Sequence, residues 1–78
     1  MNWRRIDGHR CKTAALYQLA GTDFFIRHCG HPTANFPYYG IRPDGTIMLA
    51  KNGMAFRTLA IAQTEIALIA WEELQRSA

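Results

Sequence analysis

The sequence predicts a small α+β domain in which an antiparallel sheet of three to four strands carries one C-terminal helix packed on one face. The chain has 78 residues, enough for one core only, so residues 1–78 are expected to form a single domain. Hydrophobic residues make up 49% of the chain and charged residues 19%, which excludes a disordered protein. Turn residues alternate with short apolar runs until about residue 57, where the apolar period changes to that of a helix.

Four short runs rich in aromatic and aliphatic residues predict the strands. The first two are joined by a three-residue loop at 20–22, and the last two by the turn signature Pro43-Asp44-Gly45. Residues 30–37 contain two prolines and a glycine and therefore predict an irregular connection. The predicted strands are Thr13–Leu19, Asp23–Cys29, Tyr38–Arg42 and Thr46–Lys51.

An amphipathic helix is predicted from about Thr58, its expected N-cap, almost to the end of the chain. At 3.6 residues per turn the apolar residues form one stripe toward the sheet: Leu59, Ala62, Ile66, Ile69, Ala70 and Leu74. Ile61 and Leu68 lie on the opposite side, where either scattered apolar exposure or a surface for a partner or for self-association accounts for them.

Strand alternation assigns the two sheet faces if the loop at 20–22 sets Leu19 opposite Asp23. The expected core face carries Ala14, Leu16, Phe24, Ile26, Tyr39, Ile41, Ile47 and Leu49. The other face mixes aromatic and basic residues with Met48, which predicts a contact surface for a partner. The predicted partner-binding residues are Tyr17, Phe25, Arg27, Tyr38 and Arg42.

The charge is distributed unevenly along the chain. The net charge is +3, but residues 1–57 hold eight Lys/Arg and three acids, and residues 58–78 hold one Arg and three acids. The net charge is therefore +5 for residues 1–57, which contain the predicted strands, and −2 for residues 58–78, which contain the predicted helix. A basic sheet predicts an acidic partner, the alternative being that these charges serve solubility alone.

One cluster of cysteines and histidines has the residue types of a zinc site: His9, Cys11, Cys29 and His31. The three-residue loop places Cys11, Cys29 and His31 on one face near the open end of the first hairpin. Their spacing matches none of the usual zinc-finger patterns, so half-buried thiols with surface histidines are the preferred interpretation. We therefore predict no metal site and no cofactor.

The residue types also argue against an enzyme. The only serine is Ser77, near the end of the chain, which excludes a serine hydrolase, and adjacent strand residues such as His28 and Cys29 point to opposite faces. A small ribonuclease using His28, His31 and Arg27 is the remaining catalytic alternative. The charged start of the sequence and the two cysteines, expected as free thiols, predict a cytoplasmic protein with no membrane segment.

The stretch FFIRHCGHPTANFPYYGIRPDG and the later AFRTLAIAQ resemble short accessory proteins of phages and prophages, a group that includes the anti-CRISPR proteins. The resemblance implies a non-enzymatic inhibitor that binds a host protein or ribonucleoprotein complex acting on nucleic acids. It assigns no residue a role. We expect a monomer or weak dimer. The alternative is a DNA-binding sheet that uses Arg4, Arg5, Arg27 and Arg42 on phosphates or bases.

Overall fold

A computed structural model of the chain describes residues 2–6 and 15–77. Five strands form one antiparallel sheet in which each strand pairs with the next one along the chain. The helix follows the last strand. The elements are β1 (Trp3–Arg5), β2 (Leu16–Leu19), β3 (Phe25–His28), β4 (Tyr38–Ile41), β5 (Ile47–Met48) and α1 (Leu59–Ser77).

This architecture confirms the predicted fold class and adds one strand. The added strand, β1, pairs with β2 through Trp3↔Leu19, Arg4↔Gln18 and Arg5↔Tyr17. Its sequence, WRR, is too short and too charged to show the alternation that marks a strand. The interval between β3 and β4 contains only turns and bends, as the prolines and glycine predict.

Side-chain hydrogen bonds set the turn that joins β4 to β5. The Oδ1 atom of Asp44 accepts hydrogen bonds from the Thr46 backbone N–H at 3.0 Å and from the Thr46 hydroxyl at 2.8 Å. Gly45 has a φ of +91°, a conformation that only glycine adopts without strain. The Arg42 backbone N–H then donates to the Thr46 carbonyl at 2.9 Å, which begins the hairpin.

The helix begins where the sequence predicts. The hydroxyl of Thr58 accepts a hydrogen bond from the Ile61 backbone N–H at 3.1 Å, so Thr58 is the N-cap. Of the predicted stripe, Ala62, Ile66 and Ala70 are fully buried, and Leu59 and Ile69 pack beside them. Leu74 is 43% exposed and does not belong to the core.

The core lies between α1 and one face of the sheet. Its sheet side is formed by Leu19, Phe24, Ile26, Tyr38 and Met48, and Phe56 adds to it through an isolated bridge with Tyr38. Within residues 2–6 and 15–77, no helix has both the length and the apolar character needed to cross a bilayer.

Candidate binding face

The five residues predicted to bind a partner do not share one surface. Phe25 and Arg27 of β3 lie on the face that turns away from the helix. The other three lie on the helix side: Tyr17, Tyr38 and Arg42. The predicted side of the sheet was therefore correct for β3 and wrong for β2 and β4.

The β2–β3 hairpin loop is one residue longer than predicted. The Leu19 backbone N–H donates to the Phe24 carbonyl at 3.0 Å, so the loop spans residues 20–23. Thr22 holds this loop, because its hydroxyl donates to the Leu19 carbonyl and accepts from the Phe24 N–H. A shift of one residue exchanges the faces of a strand, so Tyr17 faces the helix beside Ile26.

The orientation of β4 is set by its glycine. Gly40 lies opposite both Ile26 and Met48, and a Cβ atom on it would lie 2.6 Å from the Cδ1 of Ile66. The helix passes close to the sheet at this point. Because alternate residues share a face, Tyr38 points toward the helix with Gly40, and Tyr39 and Ile41 point away.

Tyr38 is only 5% exposed and belongs to the core. Its ring contacts the buried His28 edge to face, with ring centroids 5.1 Å apart and planes at 89°. Burial raises the pKa of the Tyr38 hydroxyl, as does the nearby Tyr17, while Arg5 opposes them. A tyrosine held in this way stabilises the fold and presents no surface to a partner.

Arg42 is paired within the chain. Its Nε lies 3.2 Å from Oε1 and 3.1 Å from Oε2 of Glu73 on α1, and the two side chains are about one-third exposed. Its guanidinium therefore joins the sheet to the last part of the helix. It is not a free cation available to an acidic partner.

A different set of residues forms the surface that the helix leaves uncovered. Two cross-strand rows cover it: Arg4–Gln18–Phe25–Ile41–Ile47, and Leu16–Arg27–Tyr39. Residues opposite one another in such rows have Cβ atoms about 4.5–5.5 Å apart, so the side chains form a continuous layer. We call this surface the open sheet face; it consists of Arg4, Leu16, Gln18, Phe25, Arg27, Tyr39, Ile41 and Ile47.

The open sheet face is apolar at its centre and positively charged. Arg4 and Arg27 are exposed, and within the described residues neither is paired with a carboxylate. Phe25 and Tyr39 are half-buried beside Arg27, and Ile47 is 51% exposed. None of the eight residues is acidic. Aromatic rings next to free arginines are the residues that contribute most to binding at protein interfaces.

The sequence prediction missed Tyr39, Leu16, Ile41 and Ile47 as members of this face, having assigned all four to the core. One signal for Tyr39 was present in the sequence. A glycine inside a strand often marks a close approach of another element, and Gly40 therefore indicates which side of β4 meets the helix. The correct side for β2 depended on the loop length, for which the residues AGTD give no comparable signal.

The described residues bear on the ribonuclease alternative and on only part of the zinc alternative. Cys29 has a free, exposed thiol, and within the described part of the chain no three His, Cys, Asp or Glu residues cluster as metal ligands. His9 and Cys11 lie outside the described residues. Arg27 is on the open sheet face and His28 is buried on the helix side, so they do not converge on one phosphate.

No protein-family model, curated protein or solved structure matches this chain. The role of the open sheet face is therefore inferred from the chemistry of its own residues.

Proposed function

We propose that this protein is a non-catalytic binding protein whose open sheet face attaches to an acidic surface of a host protein or ribonucleoprotein complex. The observation that supports this role is that Arg4 and Arg27, both without an acidic partner in the described chain, share one face with Phe25 and Tyr39. A complementary acidic surface would pair with the arginines and cover the rings. The arginines would speed association and set the orientation, and the rings would supply most of the buried apolar area.

The composition of the open sheet face favours a protein surface over nucleic acid alone. Five of its residues are apolar or aromatic, and only two are cationic: Leu16, Phe25, Tyr39, Ile41 and Ile47 against Arg4 and Arg27. Two arginines neutralise about two phosphates, whereas strongly salt-dependent DNA binders make about 6–10 phosphate contacts. Apolar burial therefore exceeds phosphate attraction as the main source of affinity.

The inhibitory part of the proposal rests on the resemblance of residues 24–45 and 55–63 to accessory proteins of phages. We propose that attachment blocks a host complex that targets nucleic acids, as anti-CRISPR proteins do. The exposed Cys29 thiol suits a reducing compartment, and we place this action in the cytoplasm.

Single-stranded nucleic acid is a second candidate ligand. Phe25 and Tyr39 stand on adjacent strands of one face with Arg27 beside them, an arrangement on which bases can stack. Stacking contributes about 1–3 kcal/mol per base. The duplex alternative loses support, because Arg42 is paired with Glu73 and Arg5 lies on the helix side.

The test compares three baits: the natural chain, Arg27→Glu, and Lys51→Glu as a control with the same change in charge. Lys51 is exposed and lines a groove beside Ile61 and Glu65, on the helix side of the sheet. Affinity capture from nuclease-treated host lysate should recover a complex with the natural chain and with Lys51→Glu, and not with Arg27→Glu. The recovered complex is then purified, and its cleavage or binding of nucleic acid is measured with and without the protein.

We expect the natural chain and Lys51→Glu to inhibit the complex and Arg27→Glu to lose inhibition. Equal capture and equal inhibition by Arg27→Glu would contradict the proposal. If capture succeeds only from lysate that has not been treated with nuclease, and if fluorescence anisotropy shows single strands binding in an Arg27-dependent way, the second candidate replaces the first. For two phosphate contacts on a single strand, affinity should fall only about sevenfold between 50 and 200 mM salt.

A further inference from the structure

A shallow groove, largely open to solvent, lies between β1 and one flank of α1, on the helix side of the sheet. It is lined by Trp3, Gln63, Thr64, Ala67, Leu68 and Trp71. The indole Nε1 of Trp3 donates a hydrogen bond to the Gln63 carbonyl at 3.1 Å, which fixes one wall against the helix. On the other wall, Leu68 is 58% exposed and Trp71 is 54% exposed.

The groove continues into a band of uncharged residues on α1. At 100° per residue the band is centred about 140° from the core-facing side, so these residues lie on the side of the helix that faces away from the sheet. Glu65 and Glu72 point about 100° or more away from the centre of this band. We call the band the uncharged helix stripe; it consists of Ala60, Thr64, Ala67, Leu68, Trp71, Leu74 and Gln75.

We propose that the uncharged helix stripe and the adjoining groove form the interface of a two-fold symmetric homodimer, with a second copy of this chain as the occupant. A two-fold interface places a patch against the same patch of the other copy, so a charged patch would repel itself. An uncharged stripe avoids that repulsion. It also offers nothing to pair with the charges of an acidic or basic partner, which distinguishes it from the open sheet face.

The side chains of the stripe suit antiparallel helix packing. Ala60 and Ala67 are small and allow two helix axes to approach to about 8–10 Å. When the two-fold axis passes between positions 67 and 68, Trp71 of each copy lies opposite Thr64 of the other. Trp71 then enters the partner's groove beside Trp3. Both tryptophans of the chain would lose solvent exposure together.

This arrangement does not depend on the proposed function and is compatible with it. The helix lies on one side of the sheet, so helix-to-helix pairing leaves both open sheet faces on the outside of the dimer. Each copy would then present its own open sheet face.

The test measures self-association of the purified full chain by sedimentation velocity and by tryptophan emission over a dilution series. The stripe has about seven residues a side, against about 20–30 in a standard interface, so we expect micromolar dissociation. Dilution should red-shift the emission as the dimer separates. Leu68→Glu should weaken the dimer at least about 100-fold, because it would bury an unpaired charge. Ile47→Glu, an equally exposed position on the open sheet face, should leave it unchanged.

Circular dichroism establishes that each variant is folded. A natural chain that stays monomeric at the highest soluble concentration would overturn the proposal, as would a dimer lost with Ile47→Glu and kept with Leu68→Glu. The symmetry is tested with Leu68→Cys in a Cys11→Ser, Cys29→Ser background, which should form an intermolecular disulfide on oxidation. The matching Ile47→Cys chain should not, and a dimer that crosslinks only at position 47 would contradict this interface.

Discussion

Gly40 of β4 and Ile66 of α1 lie in close contact between the sheet and the helix. A Cβ atom at position 40 would lie 2.6 Å from Ile66 Cδ1, 3.2 Å from Ile66 Cγ1 and 3.0 Å from Met48 Cβ. Real Cβ atoms essentially never show the first of these distances, so a side chain at position 40 would force the fully buried Ile66 to move its Cδ1 atom.

Gly40→Ala should therefore destabilise the protein by about 1–3 kcal/mol through overpacking. Ile66→Val removes Cδ1 and alone should cost about 0.5–1.5 kcal/mol. In the Gly40→Ala background the valine should recover part of the lost stability, because the worst contact involves Cδ1. Urea unfolding of the four chains of this double-mutant cycle measures the coupling. Gly40→Ala unfolding at the same urea midpoint as the natural chain would contradict the close approach.

The Arg42–Glu73 pair should contribute modestly to stability. Its side chains are 33% and 31% exposed, so solvent screens the attraction, although the guanidinium Nε contacts both carboxylate oxygens. A cycle of Arg42→Ala and Glu73→Ala should give a coupling of about 0.5–1 kcal/mol that shrinks at high salt. Arg42→Ala should leave partner capture intact where Arg27→Ala reduces it. Loss of capture with Arg42→Ala in a fully folded chain would mean that Arg42 is itself one of the partner-binding residues.

Thr58→Ala should lower the free energy of unfolding by about 1 kcal/mol, because the Ile61 N–H loses its side-chain acceptor. Thr58→Ser keeps the hydroxyl and serves as the control. Thermal unfolding followed by circular dichroism at 222 nm measures both variants. Equal losses for alanine and serine would show that the methyl group of Thr58, rather than its hydroxyl, supports the start of the helix.

The pH dependence of stability should report on Tyr38. Burial raises its pKa above the ordinary value of 10.0, so at alkaline pH the unfolded chain releases this proton before the folded chain does. The stability that the neutral Tyr38 hydroxyl contributes is fully present below the pKa of Tyr38 in the unfolded chain. It is lost as the pH rises through the pKa of Tyr38 in the folded chain. The natural chain should therefore lose more stability than Tyr38→Phe between about pH 9 and about pH 11. Parallel curves for the two chains would indicate that the Tyr38 hydroxyl titrates normally.

Local rules predicted much of the fold. The helix, its Thr58 cap and the alternation within β3 follow from period and capping chemistry that neighbouring residues determine. The face of β2 does not, because it depends on whether the hairpin closes at Asp23 or Phe24. Thr22 decides this by bonding both Leu19 and Phe24, a contact that forms only once the loop has folded.

The candidate site was predicted less well, because a surface that spans strands accumulates every error of register. Phe25 and Arg27 were placed correctly, since one strand fixes both. Tyr38 and Tyr39 are adjacent residues of the same type, so the sequence does not show which of them faces the helix. The contact between Gly40 and Ile66 across the core decides this. A tertiary contact therefore decides which tyrosine is buried in the core and which lies on the open sheet face.

Because the helix covers only one side of the sheet, the two sides differ in how well they tolerate substitution. Substitutions on the uncovered side of the sheet should change the chemistry of that surface with little penalty to folding, while those beneath the helix should disturb the core. Such a scaffold could acquire a new target through a few codon changes without first acquiring extra stability. Divergent copies are expected to differ most at the eight uncovered positions and least around Gly40 and Ile66.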